Sequence, residues 1–379
     1  MRLCIVSSSY PNEDGIGNTF VEQLVNAWTR MGHHCVVVSP LNTCNNKDAA
    51  LYKEHEIKVL DSSHSVEVFR PRFWMRNIPF LPVSTSRYLA QKAIERTIRT
   101  KGLEFDAIYC HFFASGIIAW HYAHKYNVPL YVATGESTIK SRLQKPCLSF
   151  SWNQFRKDTH AVVCVSTKNM EECVSLGYAE RKKCKVFPNG ANLKLFKPID
   201  KHECRKQLGL DDSDFITITI GEFSNRKGQQ RVLQAIDSIG EPAIKSVLIG
   251  RGEDLPNRKY VLYKGSVPHD DLPVFLSAAD AFVLPTLKEG CCNAIVEAMA
   301  CGLPIISSDR DFNHDILNQE NSIMVNPNST EEIATAIKEL FMDKNKRQVL
   351  SEGALKSSIG LSIDKRAEGI MAYIQQTLR

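Results

Sequence analysis

Short apolar runs alternate with longer helix-patterned stretches along this chain, and the alternation stops once and then begins again. The first series has apolar runs near 2–7, 35–39, 56–60, 106–110, 129–133, 161–165 and 184–187, with helical patterns near 17–31, 84–101, 114–126 and 168–177. Pro188-Asn189-Gly190 interrupts it, and a polar stretch from Asp200 to Arg205 follows. The second series opens at Phe215–Ile220 and continues through 246–249, 260–263, 281–284, 304–307 and 323–325, with final helices near 330–342, 345–357 and 364–378. Strands alternating with helices build parallel sheets covered by helices on both faces. A length of 379 residues exceeds what one core usually holds. Two successive doubly wound α/β domains are therefore expected, 1–195 and 196–363. Such sheets bind ligands at the carboxyl ends of their strands, so the strand-to-helix loops are where chemistry is sought.

The hydrophobic share of 43% and charged share of 23% suit a soluble globular protein. No apolar stretch reaches the ~20 residues of a membrane span. Met1-Arg2-Leu3-Cys4-Ile5-Val6 runs straight into a strand without the pattern of a signal peptide, so a cytoplasmic protein is expected. The twelve cysteines are scattered, with no C-x-x-C pair, and read as buried thiols of a reducing compartment. The net charge of +5 is unevenly placed. Between Arg70 and Lys101 stand eight basic residues and one acidic one, Glu95, interleaved at first with Phe69, Phe73, Trp74, Met75, Ile78, Phe80 and Leu81. A segment of this kind, 69–101, either docks on anionic lipid headgroups or packs its apolar side inward and shows arginine to water. No nucleic-acid motif accompanies the charge.

The densest chemistry follows the apolar run Ala281–Pro285. The chain reads Glu289-Gly290-Cys291-Cys292-Asn293-Ala294-Ile295-Val296-Glu297-Ala298-Met299-Ala300-Cys301-Gly302-Leu303-Pro304. A loop of small residues leads into a helix that Gly302 and Pro304 stop. The helix N-terminus at Gly290, Cys291, Cys292 and Asn293 offers unpaired N–H groups to a phosphate. Glu297, one turn further in, repels a phosphate and can accept from a sugar diol. Glu289 stands before the helix. The sum is a pocket for a ligand carrying both phosphate and hydroxyls.

A second loop, Ile220-Gly221-Glu222-Phe223-Ser224-Asn225-Arg226-Lys227-Gly228, places two cations between a strand and a helix, in outline a diphosphate clamp. Gly15 and Gly17, after the first strand, let backbone approach a ligand. His111 and Thr134-Gly135-Glu136 close two further strands. Arg251, in Gly250-Arg251-Gly252, either reaches a phosphate or faces solvent. The D-x-D pairs Asp212/Asp214 and Asp309/Asp311 have no companion ligands in sequence.

The stretch EGCCNAIVEAMACGLPII resembles the E-x7-E signature of retaining glycosyltransferases of family 4, which have the GT-B fold of two Rossmann-like domains facing across a cleft. The resemblance covers nearly the whole chain and implies a further set of expectations. The last helix, about 364–379, crosses back onto the N-terminal domain. Lys227 matches the family lysine of the donor-phosphate loop, while Glu222 stands where the family has arginine, so that Arg226 supplies that charge or Glu222 turns away. Glu297 binds the ribose and Glu289 the donor sugar. Backbone near Gly265 and Val267 holds the base. Gly15 and Gly17 line the acceptor side. Thr134 replaces a histidine that contacts the transferred sugar in many relatives, leaving Glu136 or His111 for that contact. Pro188-Asn189-Gly190-Ala191-Asn192 with Phe196 and Pro198 resembles the family hinge.

The implied activity is transfer of a hexosyl or acetylhexosaminyl group from a UDP- or GDP-sugar to a glycan or lipid-linked acceptor, in the making of a cell-surface polysaccharide or glycolipid. No required metal or cofactor is expected, since cations and helix N-termini meet the diphosphate, and the protein is expected at the inner membrane face through 69–101. A nucleotide-sugar epimerase or a phosphorylase of the same fold is the alternative enzyme. A non-catalytic partner subunit is the alternative suggested by Glu222 and the missing histidine.

Overall fold

A computed structural model of the chain describes residues 1–378 except 14, 16, 45–47, 77, 79 and 140–145. The chain forms two compact units, Met1–Phe187 with Arg366–Arg379, and Pro188–Lys365. Asp14 and Ile16 of the expected glycine loop, Asn77 and Pro79 of the basic segment, and Arg379 lie outside the described residues.

In the first unit the elements run β1 (Arg2–Ser7), α1 (Thr19–Arg30), β2 (His34–Val38), β3 (Leu41–Asn42), β4 (His55–Val59), β5 (Ser65–Phe69), β6 (Arg72–Phe73), α2 (Thr85–Thr100), β7 (Ala107–His111), α3 (Phe113–Tyr126), β8 (Leu130–Thr134), α4 (Trp152–Asp158), β9 (Thr159–Cys164), α5 (Thr167–Ser175) and β10 (Cys184–Val186). The main sheet has the order β10-β9-β8-β7-β1-β2-β5-β4. β7 and β8 are buried on every residue, as strands covered on both faces must be. β1 lies between β2 and β7, so the chain changes direction across the sheet there. That switch opens a crevice at the carboxyl ends of β1 and β7.

One edge departs from the all-parallel expectation. β4 pairs antiparallel with β5, a strand absent from the sequence reading. Asp61 Oδ1 accepts from the Ser63 and His64 amides at 2.9 and 3.0 Å and reverses the chain between them. On that edge β4 alternates exposed and partly buried residues, which polar residues tolerate.

The second unit holds α6 (Lys201–Leu208), β11 (Phe215–Ile220), α7 (Gln229–Ile239), β12 (Ile244–Ile249), β13 (Val261–Gly265), α8 (Leu272–Ala278), β14 (Ala281–Leu284), α9 (Asn293–Ala300), β15 (Ile305–Ser308), β16 (Ser322–Val325), α10 (Thr330–Met342) and α11 (Lys344–Gly360). Its six strands are all parallel, in the order β13-β12-β11-β14-β15-β16. β11, β14 and β15 are wholly buried. The switch falls between β11 and β14, so the loops after Ile220 and Leu284 share one crevice.

The units divide at Phe187/Pro188 rather than at 195/196. Residues 188–195 are held in the second unit by their own bonds: Asn189 Nδ2 donates to Cys291 O at 2.9 Å, and Ala191 exchanges backbone bonds with Leu361 and Ile363. The last helix, α12 (Ile363–Thr377), belongs to the first unit from Arg366 rather than from 364. Trp28 Nε1 donates to Ala367 O at 2.9 Å, and Tyr131 OH to Ile374 O at 3.2 Å.

The basic segment is packed at its start and exposed further on. Arg70 is 1% exposed and pairs with Glu56 at 2.7 Å, and Phe69 is buried, so its start packs inward. Trp74 and Phe80 are 65% and 97% exposed, with Ile78 and Leu81 exposed beside them in sequence. Among the described residues no helix is long and apolar enough to cross a membrane. The twelve cysteines are free thiols, ten of them buried.

Candidate active site

In the second unit β11 delivers Gly221 to the crevice. A Cβ at Gly221 would stand 3.2 Å from Lys227 Cε, so the missing side chain is what lets Lys227 lie across the strand end. Gly221 also has φ +149°, a conformation that costs glycine little. Lys227 Nζ reaches Glu289 Oε1 at 2.7 Å and Cys292 Sγ at 3.8 Å. Burial alone would lower its pKa. Cys292 and Glu289 beside it reverse that and raise it above an ordinary lysine. It is a cation in a partly dehydrated site.

Arg226 NH1 donates to the same Glu289 Oε1 at 2.7 Å and to Lys288 O at 3.0 Å. The Thr286 hydroxyl, one residue after Pro285, adds a third donor to Oε1 at 3.0 Å. Glu289 is therefore the anchor of both cations. Glu222 turns outward: its side chain is mostly exposed and meets Arg226 NH2 at 3.4 Å. Of the two resolutions open in the sequence, the structure shows the turned-away Glu222, and it places Arg226 on Glu289.

Gly290, Cys291 and Cys292 are buried, and Cys292 is the N-cap of α9 without a capping side-chain bond. Asn293 begins the helix, and its Oδ1 is buried without a partner. The first-turn amides of α9 thus sit beside the Lys227–Cys292 contact. Glu297, the fifth residue of α9, accepts from His269 Nε2 at 2.9 Å. Burial would lower the imidazole pKa, but Glu297 and then Asp270 raise it above the usual value. The ring of Phe196 stands edge-on to His269 at 5.1 Å.

At the neighbouring strand ends, Gly265 closes β13 and its carbonyl accepts from Gly250 N at 2.8 Å, with Val267 two residues on. Arg251 is exposed and donates through Nε to Ser266 Oγ at 2.8 Å. One aspartate of each D-x-D pair is engaged elsewhere, Asp212 with His202 and Asp309 with His314.

Sequence reasoning found Arg226, Lys227, Glu289 and Glu297 but missed His269, Thr286 and the tie from Asn189. A lone histidine in a turn has no periodicity or spacing to announce it. Pro268-His269 reads only as a helix start. The one available signal was its place four residues after Gly265, at a strand end.

In the first unit His111 ends β7 beside Ser7 of β1. It is 5% exposed, caged by Phe20 at 5.0 Å and Phe112 at 4.5 Å, and its Nδ1 has no partner. Burial, with Arg366 adding to it, pushes its pKa down to about 3, so the ring is neutral near neutral pH. Phe112 carries a φ of +71°, strained for a residue with a side chain. Glu136 is occupied by its own unit, accepting from Phe113 N, Thr134 Oγ1 and Gly135 N at 3.0, 2.8 and 3.0 Å. Burial raises its pKa. A Cβ on Gly17 would lie 2.8 Å from Pro11 backbone, which explains glycine there, and Gly15 N bonds Asn12 O at 3.1 Å.

The geometry of the second unit has the chemistry to receive an anion next to a diol. Two cations and a helix N-terminus converge on one point, and a carboxylate held by histidine stands a turn away.

Comparison with known proteins bears on the family and the fold. Residues 200–357 match the family model described as glycosyl transferases group 1, and residues 17–195 match that of glycosyltransferase family 4. The Escherichia coli UDP-Gal:alpha-D-GlcNAc-diphosphoundecaprenol alpha-1,3-galactosyltransferase is 27% identical over 289 residues, 70% of this chain and 74% of its own. Sucrose-phosphate synthase from Thermosynechococcus elongatus superposes with a TM-score of 0.76 at 20% identity, covering 99% of this chain and 98% of its own. Anabaena HepE in complex with UDP and glucose gives 0.74 at 17% identity, covering 99% and 100%. These likenesses establish two Rossmann-like units of the GT-B fold.

Proposed function

This chain belongs to glycosyltransferase family 4, and we propose that it is a retaining enzyme that moves a hexosyl or acetylhexosaminyl group from a UDP- or GDP-sugar to a lipid-linked glycan. The observation that carries the reading is the convergence of Arg226 and Lys227 on Glu289 beside the α9 N-terminus, with Glu297 one turn in. The cations and the first-turn amides stabilise the negative charge that grows on the departing diphosphate. Glu297 accepts from the ribose diol. Glu289 holds the cations through Oε1, and among the described residues no bond falls on Oε2, which is left for a hydroxyl of the transferred sugar.

In the transfer, the bond from the anomeric carbon to the diphosphate oxygen breaks. The acceptor oxygen bonds to the same face, and its proton passes to the departing phosphate oxygen. Nothing in this scheme requires a divalent ion, because Arg226 and Lys227 supply the countercharge. The neutral His111 is a candidate for contact with the transferred sugar. A lipid-linked acceptor is supported by the name of the E. coli relative, whose substrate carries diphosphoundecaprenol. It is also supported by the exposed Trp74, Ile78, Phe80 and Leu81, which with Arg76 suit the anionic inner face of a membrane.

The test is to incubate the purified chain with UDP- and GDP-sugars, with and without a sugar-diphosphopolyprenol acceptor, and to read the product anomer by NMR. Transfer with the donor's anomeric configuration supports the reading. An inverted product removes the retaining step. A donor isomerised without acceptor points to an epimerase, and no turnover of any donor points to a partner subunit.

A further inference from the structure

The sheet of the first unit ends in an open edge. β4 is the outermost strand on that side, and it pairs antiparallel with β5 from His55↔Phe69 to Val59↔Ser65 without a bulge. Arg70 N donates to Glu54 O at 2.7 Å and Leu60 N to His64 O at 2.9 Å, so the even-numbered residues of this stretch carry the bonds to β5. Bonded and unbonded pairs alternate along an antiparallel ladder. His55, Ile57 and Val59 therefore turn their N–H and C=O groups away from β5, and among the described residues no backbone bond meets them there. The side chains of Ile57 and Val59 are 61% and 74% exposed.

Edge strands are normally guarded by a proline, a bulge or an outward lysine. β4 has none of the three. It contains no proline, its register is regular, and its lysine turns inward: Lys58 Nζ pairs with Glu22 of α1 at 2.5 Å. Glu56 is likewise held inward, by Arg70 at 2.7 Å. The strand is also complementary to itself. A twofold axis through Ile57 sets Ile57 against its own copy and His55 against Val59, so that all three open residues exchange both their bonds with the second strand. The same axis sets Glu56 opposite Lys58 of the second copy. An axis at Glu56 or at Lys58 also satisfies the bonding pattern, but it opposes two glutamates or two lysines, and like charges directly opposite are destabilising. Charge thus selects the register centred on Ile57.

We propose that β4 is an interface with a second copy of this chain, the two strands running antiparallel through Ile57 so that two eight-stranded sheets become one. Ile57 then packs on Ile57 of the second copy. Val59 packs on the second copy's His55, a ring fixed by stacking on Phe69 at 4.6 Å and by Glu67 at 2.8 Å. One short edge buries less than the ~1,200 Å² of a standard interface, so the assembly is weak, half-formed at about 10–100 µM. The pairing makes no use of the donor site or of any acceptor.

The experiment is sedimentation velocity on the full chain from about 1 to 300 µM, a range that brackets such an affinity. The wild type is expected to pass from the sedimentation coefficient of one chain toward that of two. Ile57→Pro removes an N–H that β5 does not use and sets a ring where the second strand would lie. It should remain a single chain throughout while melting as the wild type does. Val59→Lys restores an outward lysine and should raise the dissociation constant about tenfold or more, and it serves if the proline variant does not fold. Ile57→Cys gives a positive readout. The twofold axis brings the two Cα atoms to about 5.5 Å, within disulfide reach, so a covalent dimer should form under mild oxidation. The wild type, with its own free thiols, should form none. A wild type that stays a single chain at every concentration overturns the proposal. So does a dimer unchanged by Ile57→Pro or Val59→Lys, which would move the association to another face, such as that of Trp74 and Phe80. A dimer that Ile57→Cys does not cross-link overturns the register.

Discussion

His269 donates from Nε2 to Glu297 Oε1 across 2.9 Å, joining a turn after β13 to the fifth residue of α9. The bond fixes the carboxylate that is assigned to the ribose. It also brings a titrating group beside that carboxylate. Burial lowers the imidazole pKa, yet Glu297 and Asp270 carry the net value above that of a free histidine. A raised pKa in the folded state contributes stability in full below about 6.5, the unfolded value, and loses it as pH rises through the folded value. The stability difference between wild type and His269→Gln should therefore be largest near about pH 6 and shrink toward about pH 9. Thermal melts across that range check it, and a difference that grows with pH would sink the ion-pair account.

Glu297→Ala should weaken UDP or GDP binding by about one to two orders of magnitude, since a buried hydrogen-bonded carboxylate and its diol contacts are lost together. Isothermal calorimetry reads this directly. Unchanged affinity removes the ribose role.

Lys227→Ala should lower kcat by about 100- to 1,000-fold, the range seen when one preorganised charge-stabilising group is removed. Arg226 remains on Glu289 in that variant, so the loop keeps one of its ties. Loss of substrate affinity alone, with kcat preserved, would show that Lys227 binds donor without aiding its departure.

Glu136→Ala should destabilise the first unit by about 1–3 kcal/mol, because the Phe113 and Gly135 amides and the Thr134 hydroxyl lose their acceptor. UDP affinity should stay at the wild-type value. Denaturant melts and calorimetry on the same sample separate the two effects. A variant with native stability would show that Glu136 is not the structural tie its bonds suggest.

Removal of divalent ions with EDTA should leave transfer near its full rate if, as proposed, Arg226 and Lys227 meet the diphosphate. A rate that collapses and returns with added Mg2+ or Mn2+ would mean that Arg226 and Lys227 do not suffice.

Much of the second unit was legible in sequence. Short apolar runs such as Ala281–Leu284, bounded by breakers, read as strands covered on both faces. Gly302 at φ +79° ends α9 where the chain pattern placed the stop. Local signals carry that information, since caps, breakers and periodicity act within a few residues. β5 was missed because its pairing depends on the Asp61 turn and on an edge that tolerates polar residues. The boundary at Phe187/Pro188 was misplaced because Asn189 and Ala191 find their partners about 100 and 170 residues further along the chain.

The sequence by itself determined two parallel α/β units, the loops that bear charge, and the pairing of a helix start with a carboxylate one turn in. Those follow from side-chain type and spacing along one backbone. Only the tertiary structure decided that Glu289 gathers Arg226 and Lys227, that Glu222 turns outward, that His269 holds Glu297, and that Glu136 and Arg70 are occupied within the fold. Each is a choice among partners that packing brings within a few ångströms, and several of those partners lie on elements far apart in the chain.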